Sequence, residues 1–127
     1  MNGIQKILHD PKMGKKRFTV DRLILTRQYN HLDKDWSFFR VSGCVQEATP
    51  EEAKLTVAEY HGQKILRFFA PFDFSAGETI GSGPSYMAAN RIHLDGKTYR
   101  VLKTWKSDTE GFTEAWTEEM EQEPEDD

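Results

Sequence analysis

The sequence predicts a mainly β fold: a small antiparallel β-barrel or sandwich with one short helix and a long flexible loop. Three observations lead there. Ile92 and Leu94, then Tyr99 and Val101, alternate with polar neighbours on either side of Asp95-Gly96. Period-two alternation marks a half-buried strand, and Asp-Gly tolerates the positive φ angles that a type I′ turn demands. The composition agrees, because eight Phe and three Trp in 127 residues suit a pleated core better than a helical bundle. One compact helix-start signal stands out, Thr49-Pro50-Glu51-Glu52.

Each element has its own justification. Ile4, Ile7 and Leu8 have helical spacing, but Pro11 and Gly14 break the stretch before it is long enough to be stable alone. Lys12, Lys15, Lys16 and Arg17 then form a basic run. A solvated surface and a contact for phosphates or an acidic patch are both open to it. The first strand spans 18–29. Phe18 and Val20 alternate, Leu23 and Leu25 continue in the opposite phase, and a bulge at Asp21-Arg22 accounts for the change. Residues 30–35 read as a polar turn region. On the second strand Trp36, Phe38 and Arg40 face one way, and Phe39, Val41 and Gly43 the other. It runs on through Cys44-Val45-Gln46 and pairs antiparallel with the first.

Thr49 caps the helix, Pro50 suits its first position and Glu52 completes a capping box, so a short helix covers about 50–57. Residues 64–69 form a third strand, stopped by Pro71. Residues 75–85 carry three Gly, one Pro and three Ser without any period. A loop of that length inside a compact domain is usually functional or disordered. Ala76, Glu78, Thr79 and Ile80, with Tyr86 and Met87 at its exit, are its candidate interface residues. After the hairpin at 95–96, turn chemistry at 108–111 and the run from Phe112 to Trp116 complete a three-stranded meander. Leu25, Val41, Ile65, Ile92, Leu94, Tyr99 and Val101 are the expected core.

The length fits one domain. Its divisions are an N-terminal arm (1–17), a β-barrel domain (18–117) and an acidic, disordered tail (118–127). The net charge of −4 conceals this division: the last ten residues hold seven acids and no base, and the remainder holds 17 bases against 14 acids. The tail reads either as a solvated terminus or as a segment that shields or docks on a basic neighbour. Cys44 is the sole cysteine, which excludes an intrachain disulfide and suits a small buried side chain. No apolar run is long enough to span a membrane and no apolar signal core opens the chain, so a cytosolic origin is the default.

Catalytic and cofactor signatures are missing. The Gly-rich stretch lacks Gly-Lys-Ser/Thr and the spacing of a dinucleotide fingerprint. His9, His31, His61 and His93 stand apart from one another, and one Cys makes no zinc set. Glu51 and Glu52 are accounted for by capping. The expectation is a non-enzyme with no metal and no cofactor.

Several segments, in order, resemble the head-closure or head–tail connector proteins of the tailed-bacteriophage neck. They are the long basic strand followed by Trp36 and Phe38-Phe39-Arg40-Val41; Gly43-Cys44-Val45-Gln46-Glu47-Ala48-Thr49-Pro50-Glu51-Glu52-Ala53-Lys54-Leu55; and Asn90-Arg91-Ile92-His93-Leu94-Asp95-Gly96-Lys97-Thr98-Tyr99-Arg100-Val101. Trp105 and Gly111-Phe112 follow. The chain departs from the family pattern at Glu47 and Asn90. The resemblance implies a small β-barrel and a structural virion protein, assembled in the host cytoplasm into a homo-oligomeric ring. Its partners would be further copies of itself, a portal or adaptor protein and a tail-completion protein, with DNA in the channel and no membrane. The alternative is a small β-barrel nucleic-acid-binding domain, whose strand aromatics and basic run supply stacking and phosphate contacts.

Overall fold

The computed structural model describes residues 15–107 and 111–121. Its elements are β1 (Lys16–Gln28), β2 (His31–Glu47), α1 (Pro50–Thr56), β3 (Ile65–Ala70), β4 (Glu78–Ile80), β5 (Ser85–Met87), β6 (Arg91–Leu94), β7 (Lys97–Lys106) and β8 (Thr113–Glu119). Neighbouring strands are antiparallel, and β1-β2-β3-β8-β7-β6 close into a six-stranded barrel because β6 returns to β1. Closure removes the free edges that an open sheet leaves. One side-chain face of each strand fills the interior with Phe18, Val20, Phe68, Ile92, Val101 and Ala115. Phe18 meets Phe68 edge to face, with ring centroids 5.1 Å apart. The tight turn has the expected backbone, with φ of 51° at Asp95 and 79° at Gly96.

Helix α1 lies on the outside of β3 and β8. Its capping box is complete: Thr49 Oγ1 accepts from the Glu52 N–H at 3.2 Å, and Glu52 Oε1 accepts from the Thr49 N–H at 3.1 Å. Ala53 and Val57 pack on Ile65 and Trp116. Arg67 ties the helix to the barrel by reaching Glu52 at 3.1 Å and Glu114 at 2.7 Å, its guanidinium lying over the rings of Phe69 and Trp116.

Five expectations need correction. The pairing of β1 with β2 runs unbroken from Lys16↔Gly43 to Gln28↔His31, so there is no bulge at Asp21-Arg22. The change of phase marks the point where β1 leaves the barrel, after which the outward side chains are apolar. The bulge that does occur lies in β7 between Val101 and Lys103. The polar turn shrinks to Tyr29-Asn30, with strand resuming at His31, and the hairpin is correspondingly long. Leu25 is half-buried, not core, because it sits on that protruding part.

The stretch 75–85 is a folded hairpin: β4 pairs with β5, and β5 adds to β1 beyond β6. Finally, strand extends into both flanking segments. Lys16 and Arg17 begin β1, and Glu118 and Glu119 end β8, where Glu118 meets Arg100 at 2.7 Å. Lys12 and residues 122–127 lie outside the described residues, as do 108–110 of the second expected turn.

Candidate functional site

Two surfaces follow from this geometry, and both lie on the outward face of β1 and β2. The first is a wing. Past Val20, β1 and β2 run on together beyond the barrel, and β5 and β4 extend the pair into a four-stranded sheet. Backbone bonds from Arg27 N to Pro84 O and from Ala88 N to Leu23 O stitch the added hairpin in place. Asn90, wholly buried, holds its base: Oδ1 accepts from the Ser75 N–H at 2.8 Å, and the Asn90 N–H donates to Ser75 O at 2.9 Å.

The register decides which side chains share a face. Asp21↔Phe38, Leu23↔Trp36, Leu25↔Lys34 and Arg27↔Leu32 point away from the barrel interior, and Tyr86 joins them opposite Leu25. Leu23, Leu25, Leu32, Trp36, Phe38 and Tyr86 therefore make one apolar patch. Phe38 is 67% exposed and Leu32, Trp36 and Tyr86 are each above 40%. Trp36 and Phe38 stack nearly parallel, 5° apart in plane with centroids at 6.3 Å. Large, clustered, exposed apolar side chains mark interaction surfaces, whereas scattered ones do not.

The second surface is a basic groove of about 570 Å³ lined by Arg17, Phe18, Thr19, Arg40, Val41, Ser42 and His93. One row of side chains crosses four strands: Thr98, His93, Thr19 and Arg40. His93 Nε2 lies 2.5 Å from Asp21 Oδ2, and its Nδ1 lies 3.0 Å from Thr98 Oγ1. Where the His93 Nε2–H donates to the Asp21 carboxylate, Nδ1 accepts from the Thr98 hydroxyl. Carboxylate, imidazole and hydroxyl stand on three rigid strands of an open face, so they clamp β1, β6 and β7 to one another. Asp21 is thus engaged, and among the described residues no carboxylate pairs with Arg17, Arg40 or Arg91.

The residues singled out from the sequence divide between these surfaces. Tyr86 belongs to the apolar patch, and Thr79 shares its face. Glu78, Ile80 and Met87 are on the opposite face, in register with Ser85, Thr26 and Ile24, and Ala76 is exposed just before β4. Lys15 and Lys16 are exposed at the start of β1, and Arg17 lines the groove. Sequence reasoning missed Leu23, Leu32, Arg40 and His93 as surface residues. Trp36 and Phe38 were placed in phase with Arg40, and a strand face that carries arginine is the solvent face. That signal was sufficient to expose both aromatics.

Among the described residues no three His, Cys, Asp or Glu side chains gather as a metal site, and no helix is long and apolar enough to cross a membrane. No protein-family model matches the chain, and no curated protein matches it.

Proposed function

We propose that the protein is a structural subunit of a tailed-phage neck, a virion protein that assembles through its wing into a homo-oligomeric ring between portal or adaptor and tail components. The observation that carries this reading is the apolar outward face of the wing. It is held rigidly by four paired strands and stands clear of the barrel core. A protein that acts alone gains nothing from Phe38 at 67% exposure beside Trp36, Leu32 and Tyr86, whereas an assembling subunit buries them. The resemblance of the ordered motifs to head-closure proteins supports the neck as the assembly. DNA passing through the ring would meet the basic side chains nearest the channel.

The test is particle assembly with a Phe38→Asp variant. Phe38 is exposed, so the fold survives and circular dichroism is unchanged. Negative-stain electron microscopy should show rings for the unmodified protein and none for the variant, and particles made with the variant should lack a completed neck. Normal necks with Phe38→Asp would end the reading.

The stacked Trp36–Phe38 pair next to Arg40 favours a second reading, a single-stranded nucleic-acid surface in which bases stack on the rings and phosphates meet the guanidinium groups. It requires binding to a short oligonucleotide that weakens steeply with salt and is lost in Trp36→Ala.

A further inference from the structure

The barrel is closed, but the wing is not. Strand β2 is the outer strand of the wing, and β3 joins it only from Cys44 onward. We infer that this free edge, from Leu32 to Arg40, pairs antiparallel with the same edge of a second copy about a two-fold axis at Trp36. The inference rests on the edge and on an apolar groove at its end. It stands apart from the ring reading, which uses the outward face of the wing, because pairing edge to edge leaves that face uncovered.

Three observations point to this partner. The first is unpaired backbone. Leu23 C=O accepts from the Ala88 N–H, and Arg27 N–H donates to Pro84 O, so both point away from β2. Residues directly opposite in an antiparallel pair either bond each other or both point away. Trp36 and Leu32 stand opposite these two, so Leu32, Lys34, Trp36, Phe38, Arg40 and Ser42 turn N–H and C=O to the free side. Among the described residues no backbone hydrogen bond meets them there. No proline or bulge interrupts the stretch, and such an edge is a template for another strand.

The second is register. With the axis at Trp36, one face sets Trp36 against Trp36, Lys34 against Phe38 and Leu32 against Arg40. The other face sets Asp35 against Ser37 and Asp33 against Phe39. No like charges meet. Changing the register by one step that keeps the faces aligned puts Lys34 against Arg40 in one direction and Asp35 against Asp35 in the other. Like charges directly opposite are destabilising.

The third is a knob and a hole. In this register the second copy's turn, Tyr29-Asn30, arrives beside Ser42 and Gly43, just short of Cys44, where β3 occupies the edge. At that point lies a groove of about 470 Å³ whose walls include Phe39, Val41, Pro71, Phe72 and Phe112. Tyr29 is fully exposed and holds a φ of 55°, a left-handed conformation that strains a bulky residue. In the single chain its side chain touches only solvent. In the pair it enters the second copy's groove, and the two-fold axis repeats the contact. A longer slide toward the barrel would drive the turn into β3.

The experiment is disulfide trapping, read on a non-reducing gel, which reports this contact whether or not rings form. Trp36→Cys should cross-link two chains under mild oxidation, because bonded partners on the axis have Cα atoms about 5.5 Å apart. Lys34→Cys should not, because its two copies lie about 13 Å apart along the strands. Cys44 is buried and does not compete. Adding Lys34→Pro to Trp36→Cys should lower the cross-link about tenfold or more. The Lys34 N–H faces the free side, so the β1–β2 ladder keeps its bonds and circular dichroism is unchanged. Adding Tyr29→Ala to Trp36→Cys should also lower the yield, by about tenfold. Equal cross-linking by Trp36→Cys and Lys34→Cys, or a yield unaffected by Lys34→Pro, would overturn the inference. No cross-link from Trp36→Cys would overturn it as well, and would leave the edge to a strand of a different protein.

Discussion

Replacing Gly43 by alanine should destabilise the barrel severely, although Gly43 sits in a strand where alanine is normally the better residue. Gly43 is the last residue of β2 paired with β1, opposite Lys16. Cys44, next along, already pairs with Phe69 of β3. It therefore stands at the corner where β2 changes partners and the barrel closes. A Cβ there would lie 2.2 Å from the carbonyl oxygen of Phe69 and 2.8 Å from the Ala70 Cβ. Carbon and oxygen come no closer than about 3.3 Å, so the two strands must part by about 1 Å. The Cys44↔Phe69 step is the first to loosen. Overpacking a rigid site costs about 1–3 kcal/mol, and a clash against backbone belongs at or above the upper end, about 2–4 kcal/mol. For a chain of this size each kcal/mol lowers Tm by about 3–5 °C, so the loss is about 8–15 °C. Thermal unfolding followed by circular dichroism measures it. The matched control is Gly83→Ala, whose Cβ meets nothing within 4 Å and which has no positive φ. That variant should unfold at the unmodified temperature or slightly above it. If the two variants melt together, Gly43 does not close the barrel by close approach.

Four further outcomes are expected. Arg67→Met leaves Glu114, whose side chain is 9% exposed, without its cation, and should cost about 3–5 kcal/mol in urea unfolding. Asn90→Ala leaves the buried Ser75 N–H unpaired; it should cost about 1–3 kcal/mol and speed amide exchange across β4 and β5 before the rest of the sheet. Gly96→Val forces a β-branched residue to the φ of 79° and should cost about 1–3 kcal/mol, read as a lowered Tm. The Glu52 carboxylate is held below the ordinary carboxylate range by the Thr49 N–H, then by the Thr49 hydroxyl and the Arg67 guanidinium. A depressed carboxylate stabilises the fold above its unfolded pKa, and that stabilisation is lost as pH falls through its folded value. The side chain is 40% exposed, so the effect is modest. Glu52→Gln should flatten the acid limb of a Tm-against-pH profile, and an unchanged limb would remove Glu52 from the account.

What the sequence made legible follows the strength of local rules. The Asp95-Gly96 turn, the capped helix and the alternating core of β6 and β7 each depend on neighbours within a few residues, and all three are where the pattern put them. Leu25 was misassigned because alternation reports which face a residue shares, not whether that face is covered. Covering depends on where β1 stops being barrel, which is set by β6 beginning at Arg91, opposite Asp21, and β5 taking over opposite Ile24. The glycines of 75–85 suggested mobility for the same reason. Gly81 and Gly83 serve the turn between β4 and β5, and Gly77, with φ of 112°, has Tyr86 lying against it, so no side chain fits there. Permissive residues were needed to fold the hairpin, and composition alone does not distinguish that need from disorder.

The same distinction bears on what the two surfaces do together. A β-barrel this small has little interior to give to chemistry, and Phe18, Phe68 and Phe74 fill what there is. Side chains beyond that core must serve the outside. The outward face of β1 and β2 sorts them along its length: Arg17 and Arg40 at the barrel end, Trp36 and Phe38 in the middle, Leu25 and Leu32 toward the tip. Apolar contact is weakly directional and barely sensitive to salt, whereas guanidinium contacts with an anion are screened within about 10 Å at 0.1 M salt. Assembly through the wing should therefore survive high salt, while whatever occupies the groove should leave it. A complex that dissociates in 1 M salt with the wing intact would place its main contact in the groove, and one that persists there but fails in Phe38→Asp would place it on the wing.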